Sequence, residues 1–115
     1  MSRSEETFLK KILPKAQAFG EAVAYHEFAV MLNPKYRGPN FKWEGFVQFA
    51  VRRAEVSCWQ SFSDAEWKRW EKEIKAAAGN SAKYAAERTM NDSGVLEWWP
   101  DPTRAPSPGG EDNKS

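Results

Sequence analysis

The chain has 115 residues, a formal net charge of +1, one cysteine and one histidine. This length suits one domain, a single cysteine excludes an internal disulfide, and one Cys with one His cannot supply the four ligands of a structural zinc site. The near-neutral charge argues against a dedicated duplex-DNA binder, because phosphate neutralisation requires many cations.

The N-terminal segment lacks the features of a secretory signal. Residues 1–7 are polar and acidic, with no basic region followed by an apolar run and a small-residue cleavage site. The longest apolar stretches are far shorter than the roughly 20 residues that span a bilayer. A lone cysteine is also typical of reducing compartments. We therefore expect a soluble, cytoplasmic protein without a membrane partner.

Two helices are predicted in the first third of the chain. Ser2 and Glu5 have the spacing of a capping box, and apolar residues follow at helical intervals. Pro14 lacks an amide hydrogen, which predicts that this short helix stops or kinks just before it. The apolar pattern then resumes and predicts a second helix over residues 15–32, followed by a loop over residues 34–40.

A central helix is predicted over residues 41–60. Its apolar residues recur at steps of three and four, which places them on one face. A strand is the alternative for this aromatic and β-branched segment, but consecutive apolar residues such as Phe46 and Val47 break a period of two. The predicted core stripe comprises Trp43, Phe46, Val47, Ala50, Ala54 and Cys58.

A further helix begins at a second capping box, formed by Ser63 and Glu66, where Phe62 can pack on Trp67 as a hydrophobic staple. Gly79 with Asn80 is a typical helix-stop pair, so we expect this helix to end there. One more weakly apolar helix follows over residues 81–90.

The C-terminal region is predicted to be an extended segment and a tail. Residues 95–99 form a short apolar cluster without a strand partner, which we expect to dock on the helices. Residues 100–115 are rich in Pro and Gly and contain no large apolar residue, which predicts disorder. The fold class is thus mostly α: a helical domain of about four helices over residues 1–99, and a disordered tail over residues 100–115.

Reactive side chains are few. A pairing of Cys58 with His26 as nucleophile and base is arithmetically allowed, but Cys58 lies on a predicted core stripe, where a thiol behaves as a small hydrophobe. The carboxylates of the helix after Ser63 alternate with lysines at spacings typical of a solvated helix surface. The sequence therefore predicts a protein that is not an enzyme and has no cofactor or metal.

Two surfaces carry the composition of a binding site. The segment over residues 35–53 holds five basic residues against Glu44 alone, a local charge of +4, beside aromatic side chains that nucleic acids can stack on. On the central helix, the face opposite the core stripe holds Phe49, Arg52, Arg53 and Val56, and an exposed aromatic flanked by arginines is a composition enriched at protein interfaces. The candidate partner-binding residues are Tyr36, Arg37, Lys42, Phe49, Arg52, Arg53, Trp98 and Trp99.

These features favour a non-enzymatic interaction protein. We expect a small inhibitor or adaptor that binds a larger protein complex by covering part of its surface, a role suited to small accessory proteins, including those encoded by mobile elements. The alternative is a nucleic-acid-binding module that uses the basic and aromatic segment over residues 35–53. The pattern predicts no particular oligomeric state.

Overall fold

The computed structural model describes residues 2–38 and 41–95, and every regular element among them is helical. The mostly α class is therefore confirmed. The α-helices are α1 (Arg3–Thr7), α2 (Leu13–Leu32), α3 (Phe46–Ser57) and α4 (Asp64–Ser93). A π-helical segment, Phe8–Ile12, joins α1 to α2, and short 3-10 turns flank α3 at Pro34–Tyr36, Trp43–Gly45 and Cys58–Ser61.

The predicted stop before Pro14 is wrong, because the π-helical segment joins α1 to α2 in one helical rod without a break. The kink that was predicted as the alternative stays a prediction. Pro14 occupies the first turn of α2, where a missing amide hydrogen is tolerated. Just before it, the amide of Leu13 bonds to the carbonyl of Phe8, five residues back. This wider π-helical turn accommodates the proline ring, which would otherwise clash with the carbonyl four residues earlier.

The predicted helix end at Gly79 and Asn80 is also wrong, since both lie inside α4. Gly79 is buried against α3, and a Cβ at this position would lie 3.1 Å from Glu55 Oε2 and 3.5 Å from Val51 Cγ1. The glycine thus permits close helix packing. The helix ends instead at Gly94, whose φ of 69° is left-handed and whose amide bonds to the carbonyl of Met90. The result is three helical rods rather than about four, and α4 is kinked at Trp70, whose φ of −125° and ψ of 26° are not helical.

The three rods run up, down and up. Ser81 Oγ donates to the carbonyl of Gln17 at 2.6 Å, and further along both helices Arg88 donates to the Tyr25 hydroxyl at 2.6 Å. Contacts that advance in the same direction show that α2 and α4 are parallel. The reverse order, in which Phe28 meets Phe46 while earlier residues of α2 meet Ser57, shows that α3 is antiparallel to α2.

Small residues line the contact between α2 and α4. A Cβ on Gly20 would collide with the carbonyl oxygen of Ala78 and lie 2.9 Å from its carbonyl carbon. The backbones of the two helices therefore approach closely at this point. The buried residues that share this seam are Ala16, Gly20, Ala24, Ala78, Ala82 and Ala86.

The predicted core stripe of the central helix is confirmed, with Val47 half-buried at its edge and the other five residues buried. Trp43, Phe46 and Phe28 form an aromatic cluster in which the ring centroids of Phe28 and Trp43 are 5.2 Å apart and those of Trp43 and Phe46 are 5.3 Å apart. This cluster anchors the start of α3 to the last turns of α2.

Both predicted capping boxes are present. At the start of α4, the Ser63 amide donates to Glu66 Oε1 at 3.0 Å, while the Glu66 amide donates to Ser63 Oγ at 3.1 Å. Ser2 and Glu5 exchange the same two bonds at the start of α1. Backbone donation from Ser63 lowers the pKa of the Glu66 carboxyl, with Lys11 Nζ 3.2 Å away as a further cause.

The C-terminal predictions fall mostly outside the described residues. Val95 is buried beyond the end of α4, but the rest of the extended segment, the tail over residues 100–115, Trp98 and Trp99 all lie outside. The boundary between residues 99 and 100 therefore stays a prediction. Among the residues that the structure describes, none of the helices combines the length and apolar content that crossing a bilayer requires.

Candidate partner-binding surface

The side of α3 that faces away from the core presents four residues at steps of three, four and three, which we call the outer stripe: Phe49, Arg52, Val56 and Trp59. The first three belong to α3 and Trp59 to the 3-10 turn that follows it. The opposite side of α3 packs into the core through Phe46, Ala50 and Ala54. Burying that side fixes the helix and directs the outer stripe toward solvent.

The apolar members of the outer stripe are unusually accessible. Val56 is 57 % exposed and Trp59 is 54 % exposed. Phe49 is half-buried, with its ring centroid 6.3 Å from that of Phe46, so it connects the stripe to the core. Val56 at the end of α3 and Trp59 in the turn that follows it are exposed apolar side chains on backbone fixed by the core, and both lose water when a partner covers them.

The adjacent arginines Arg52 and Arg53 differ in their partners. Arg53 Nε lies 3.4 Å from Glu27 Oε2, and Glu27 itself is buried, so this arginine ties α3 to α2. None of the ion pairs within residues 2–38 and 41–95 involves Arg52, which is exposed. The nearest acid along the helix, Glu55, turns its carboxylate toward Gly79 of α4.

The basic residues predicted from sequence lie on different elements of the structure. Tyr36 is 57 % exposed, with Lys35 Nζ 5.8 Å from its ring centroid, and Lys42 is exposed nearby in the chain. Arg37 is half-buried, and Phe41 packs edge-on against Trp43 at 5.1 Å. These residues lie at the end of the bundle, whereas Arg52 is six residues into α3, about 9 Å along its axis.

Sequence reasoning missed Trp59 as a surface residue. Its signal was available, since Trp59 follows Val56 by three residues and continues the spacing of Phe49 and Arg52. The two tryptophans that the sequence did predict as binding residues, Trp98 and Trp99, lie outside the described residues. Helical spacing thus places Phe49 and Arg52 on one stripe with Val56 and Trp59, whereas Tyr36, Arg37 and Lys42 precede α3 in the chain.

The cysteine and the histidine occupy different environments. Cys58 is completely buried, and its Sγ donates to the carbonyl of Glu55 at 3.5 Å. Burial raises the pKa of the Cys58 thiol, which disfavours the nucleophilic thiolate. His26 is exposed on α2. In the part of the chain that the structure describes, no group of three or more His, Cys, Asp or Glu side chains is placed to hold a metal ion.

Two other grooves are lined by arginines whose polar contacts are made within the protein. The groove between α2 and α4, about 540 Å³ in volume, contains Arg88, which donates to Glu21 at 3.3 Å and to Tyr25 at 2.6 Å. A cleft of about 470 Å³ between α1 and α4 contains Arg69, which stacks 5.2 Å from the Trp70 ring centroid and donates to Ser4. The arginines of both grooves are thus engaged within the protein, unlike Arg52.

Comparison with known proteins gives no assignment: no family model matches the sequence, and no curated protein or solved structure is significantly similar to it. The outer stripe is therefore identified from the chain's own residues. Its distinguishing feature is the combination of exposed apolar side chains with an arginine that has no acidic partner among residues 2–38 and 41–95.

Proposed function

We propose that this protein is a non-enzymatic inhibitor or adaptor that binds a larger protein through the outer stripe and blocks or bridges the surface it covers. The observation that carries the proposal is the exposure of Val56 and Trp59 beside Arg52. Tryptophan and arginine are the residues most enriched among those that dominate binding energy at protein interfaces. A single cysteine favours action in the cytoplasm.

The surface around the stripe supports the same function. A shallow groove of about 410 Å³ separates α3 from α4, and its lining includes Val51, Gln48, Glu55 and Lys83, with Val51 next to Arg52 in the chain. Together they give an apolar strip with a polar border, which is the usual anatomy of a protein interface. Residues at helical intervals on one exposed face are also how a helix docks into a partner's groove.

The test is an affinity capture from the native host with the full chain as bait, followed by binding measurements on each captured protein. Trp59→Ala is expected to weaken the interaction by about 10- to 100-fold, through loss of one anchor side chain. The matched control is Tyr84→Ala, which removes another exposed aromatic, 69 % accessible, from α4 and should leave binding unchanged. Equal retention by wild type and Trp59→Ala would show that the stripe is not the binding surface.

A nucleic-acid-binding module is the second candidate, favoured by the exposed Lys35, Tyr36 and Lys42 at the end of the bundle. Fluorescence anisotropy with single-stranded DNA and RNA, repeated over a range of salt concentrations, separates the two functions. Micromolar or tighter binding at physiological salt, with a salt slope that falls by about one on Lys42→Ala or Arg52→Ala, would establish this alternative. Under the protein-partner proposal neither result is expected.

A further inference from the structure

We infer that the partner covers Arg52 with a carboxylate flanked by apolar side chains, so that the outer stripe recognises an acidic and apolar protein segment. This inference rests on the proposed function. It goes further by naming the chemistry of the occupant, which follows from the charge left on this surface and from the order of residues along the stripe.

Arg52 occupies a central position on the outer stripe. Arg52 lies between Phe49 and Val56, one helical turn from each, so a partner that covers both apolar side chains must also cover the guanidinium. An arginine buried under a partner without an opposing charge would weaken the complex strongly. A partner that binds the apolar residues therefore has to supply an acceptor at this point.

The carboxylates of Glu27 and Glu55 are not paired with Arg52. Glu27 is engaged by Arg53, and the carboxylate of Glu55 is directed at Gly79 of α4. Glu55 and Lys83 both line the groove between α3 and α4, so this groove contributes one charge of each sign. The outer stripe itself carries the positive charge of Arg52, and an acidic segment complements it.

A carboxylate within a protein segment suits the outer stripe better than a polyanion does. The guanidinium has apolar neighbours on both sides along the stripe, and both ends carry aromatic rings, Phe49 and Trp59. A single carboxylate fits the fork of Arg52 with two parallel hydrogen bonds, and its apolar neighbours then cover Val56 and Trp59. A chain with a charge at every unit would leave those apolar side chains poorly covered.

Selection from a random 16-residue peptide display library tests the inference directly. The immobilised full-length baits are wild type, Arg52→Glu, Trp59→Ala and the control Tyr84→Ala, each verified as folded by circular dichroism. Wild type and Tyr84→Ala are expected to enrich peptides with Asp or Glu between large apolar residues. Arg52→Glu is expected to enrich Lys or Arg at that position instead.

Comparing an enriched peptide with its amide counterpart, Asp→Asn or Glu→Gln, then measures how much the peptide carboxylate contributes to affinity. The amide is expected to bind wild type at least 10-fold more weakly, while binding to Arg52→Ala changes little between the two peptides. Peptides that require Trp59 but show no preference for an acid would overturn the inference and leave the proposed function intact.

Two other results would be decisive. If no selected peptide requires Trp59, the outer stripe is not a protein-binding surface, and both the proposed function and the inference are overturned. If a single-stranded oligonucleotide displaces the selected peptides at physiological salt, the surface serves nucleic acid, and the inference is again overturned.

Discussion

Ser63 and Glu66 determine where α4 begins. Each satisfies an amide of the other that the first turn of a helix leaves without an internal partner. The carboxylate also lies at the positive end of the helix, and the amide of Ser63 is the main reason that the pKa of Glu66 is lowered. The charge of Glu66 therefore contributes to folding in addition to its hydrogen bond.

Replacing Glu66 with Gln isolates that charge, because glutamine preserves the capping geometry. Since the pKa of Glu66 is lowered in the folded state, its stabilisation is fully present above the ordinary carboxyl pKa of about 4.3 and is lost as the pH falls through the lowered value. We expect wild type to exceed Glu66→Gln by about 0.3–1 kcal/mol at pH 7.

Urea unfolding of both proteins between pH 2 and 7 measures this difference. The free energies of unfolding of the two proteins should become equal toward pH 2. The control is Glu87→Gln, which removes an exposed carboxylate from the interior of α4 and should change stability little at any pH. A difference between wild type and Glu66→Gln that stays constant with pH would show that the charge is not responsible.

At the scale of elements, two glycines that resemble helix breakers are packing residues. Gly20 faces a backbone carbonyl of α4, and Gly79 faces side chains of α3. The difference matters, because a side chain can rotate away from an added methyl group, whereas a carbonyl moves only with its helix. Gly20 is consequently the less replaceable of the two.

Gly20→Ala is expected to lower the free energy of unfolding by about 1–3 kcal/mol through overpacking, despite the better helix propensity of alanine. Gly45 is the matched control, since it has a negative φ and open space where a Cβ would be added. Gly45→Ala should change stability by less than about 0.5 kcal/mol in the same urea experiment. Equal stability of the two variants would mean that α2 and α4 do not approach closely at Gly20.

Local patterns predicted the features that depend on neighbouring residues. The two capping boxes and the core stripe of α3 are set by spacings of three and four, and all three were predicted correctly. The helix stop expected at Pro14 was wrong because a π-helical turn carries the helix into the proline, and the one expected at Gly79 was wrong because α4 packs on α3 there. The spacing of residues in one sequence does not show which helices will pack against each other.

The same limit applies to the candidate site. Periodicity placed Phe49, Arg52 and Arg53 away from the core stripe, but the two arginines looked equivalent. They differ because Arg53 meets Glu27, which is 26 residues away in the chain and is brought near by the antiparallel packing of α2 and α3. Trp59 continues the same spacing, but it lies in the 3-10 turn that follows α3, and its exposure is seen only in the structure.

At the scale of the whole molecule, the two long rods extend well beyond α3. Ser57, the last residue of α3, lines the same groove as Phe19 in the middle of α2. No residue of α1 is buried, and the first buried residue of α4 is Ile74. The ends of the rods near their N-termini thus bury fewer side chains than the three-helix region, although Ile12 is fully buried there.

This unequal burial predicts unequal local stability. Amide hydrogens of residues 3–12 and 64–73 are expected to exchange faster, by at least 10-fold, than those of residues 20–28 and 78–86. Native-state hydrogen exchange measured by NMR or mass spectrometry tests this. Uniform protection along both rods would show that the N-terminal pair folds and unfolds together with the three-helix region.

The parallel arrangement of α2 and α4 has an electrostatic consequence. Parallel helices align their dipoles, so the C-terminal carbonyls of α2 and α4 share one end of the molecule, where the N-terminus of the antiparallel α3 offsets part of their negative charge. Neither helix carries a basic residue in its last turn. Lys35 follows α2 by three residues, and Lys42 precedes Trp43, which packs on Phe28 near that end. A basic loop is expected there to neutralise the aligned dipoles, even if this protein never binds a phosphate backbone.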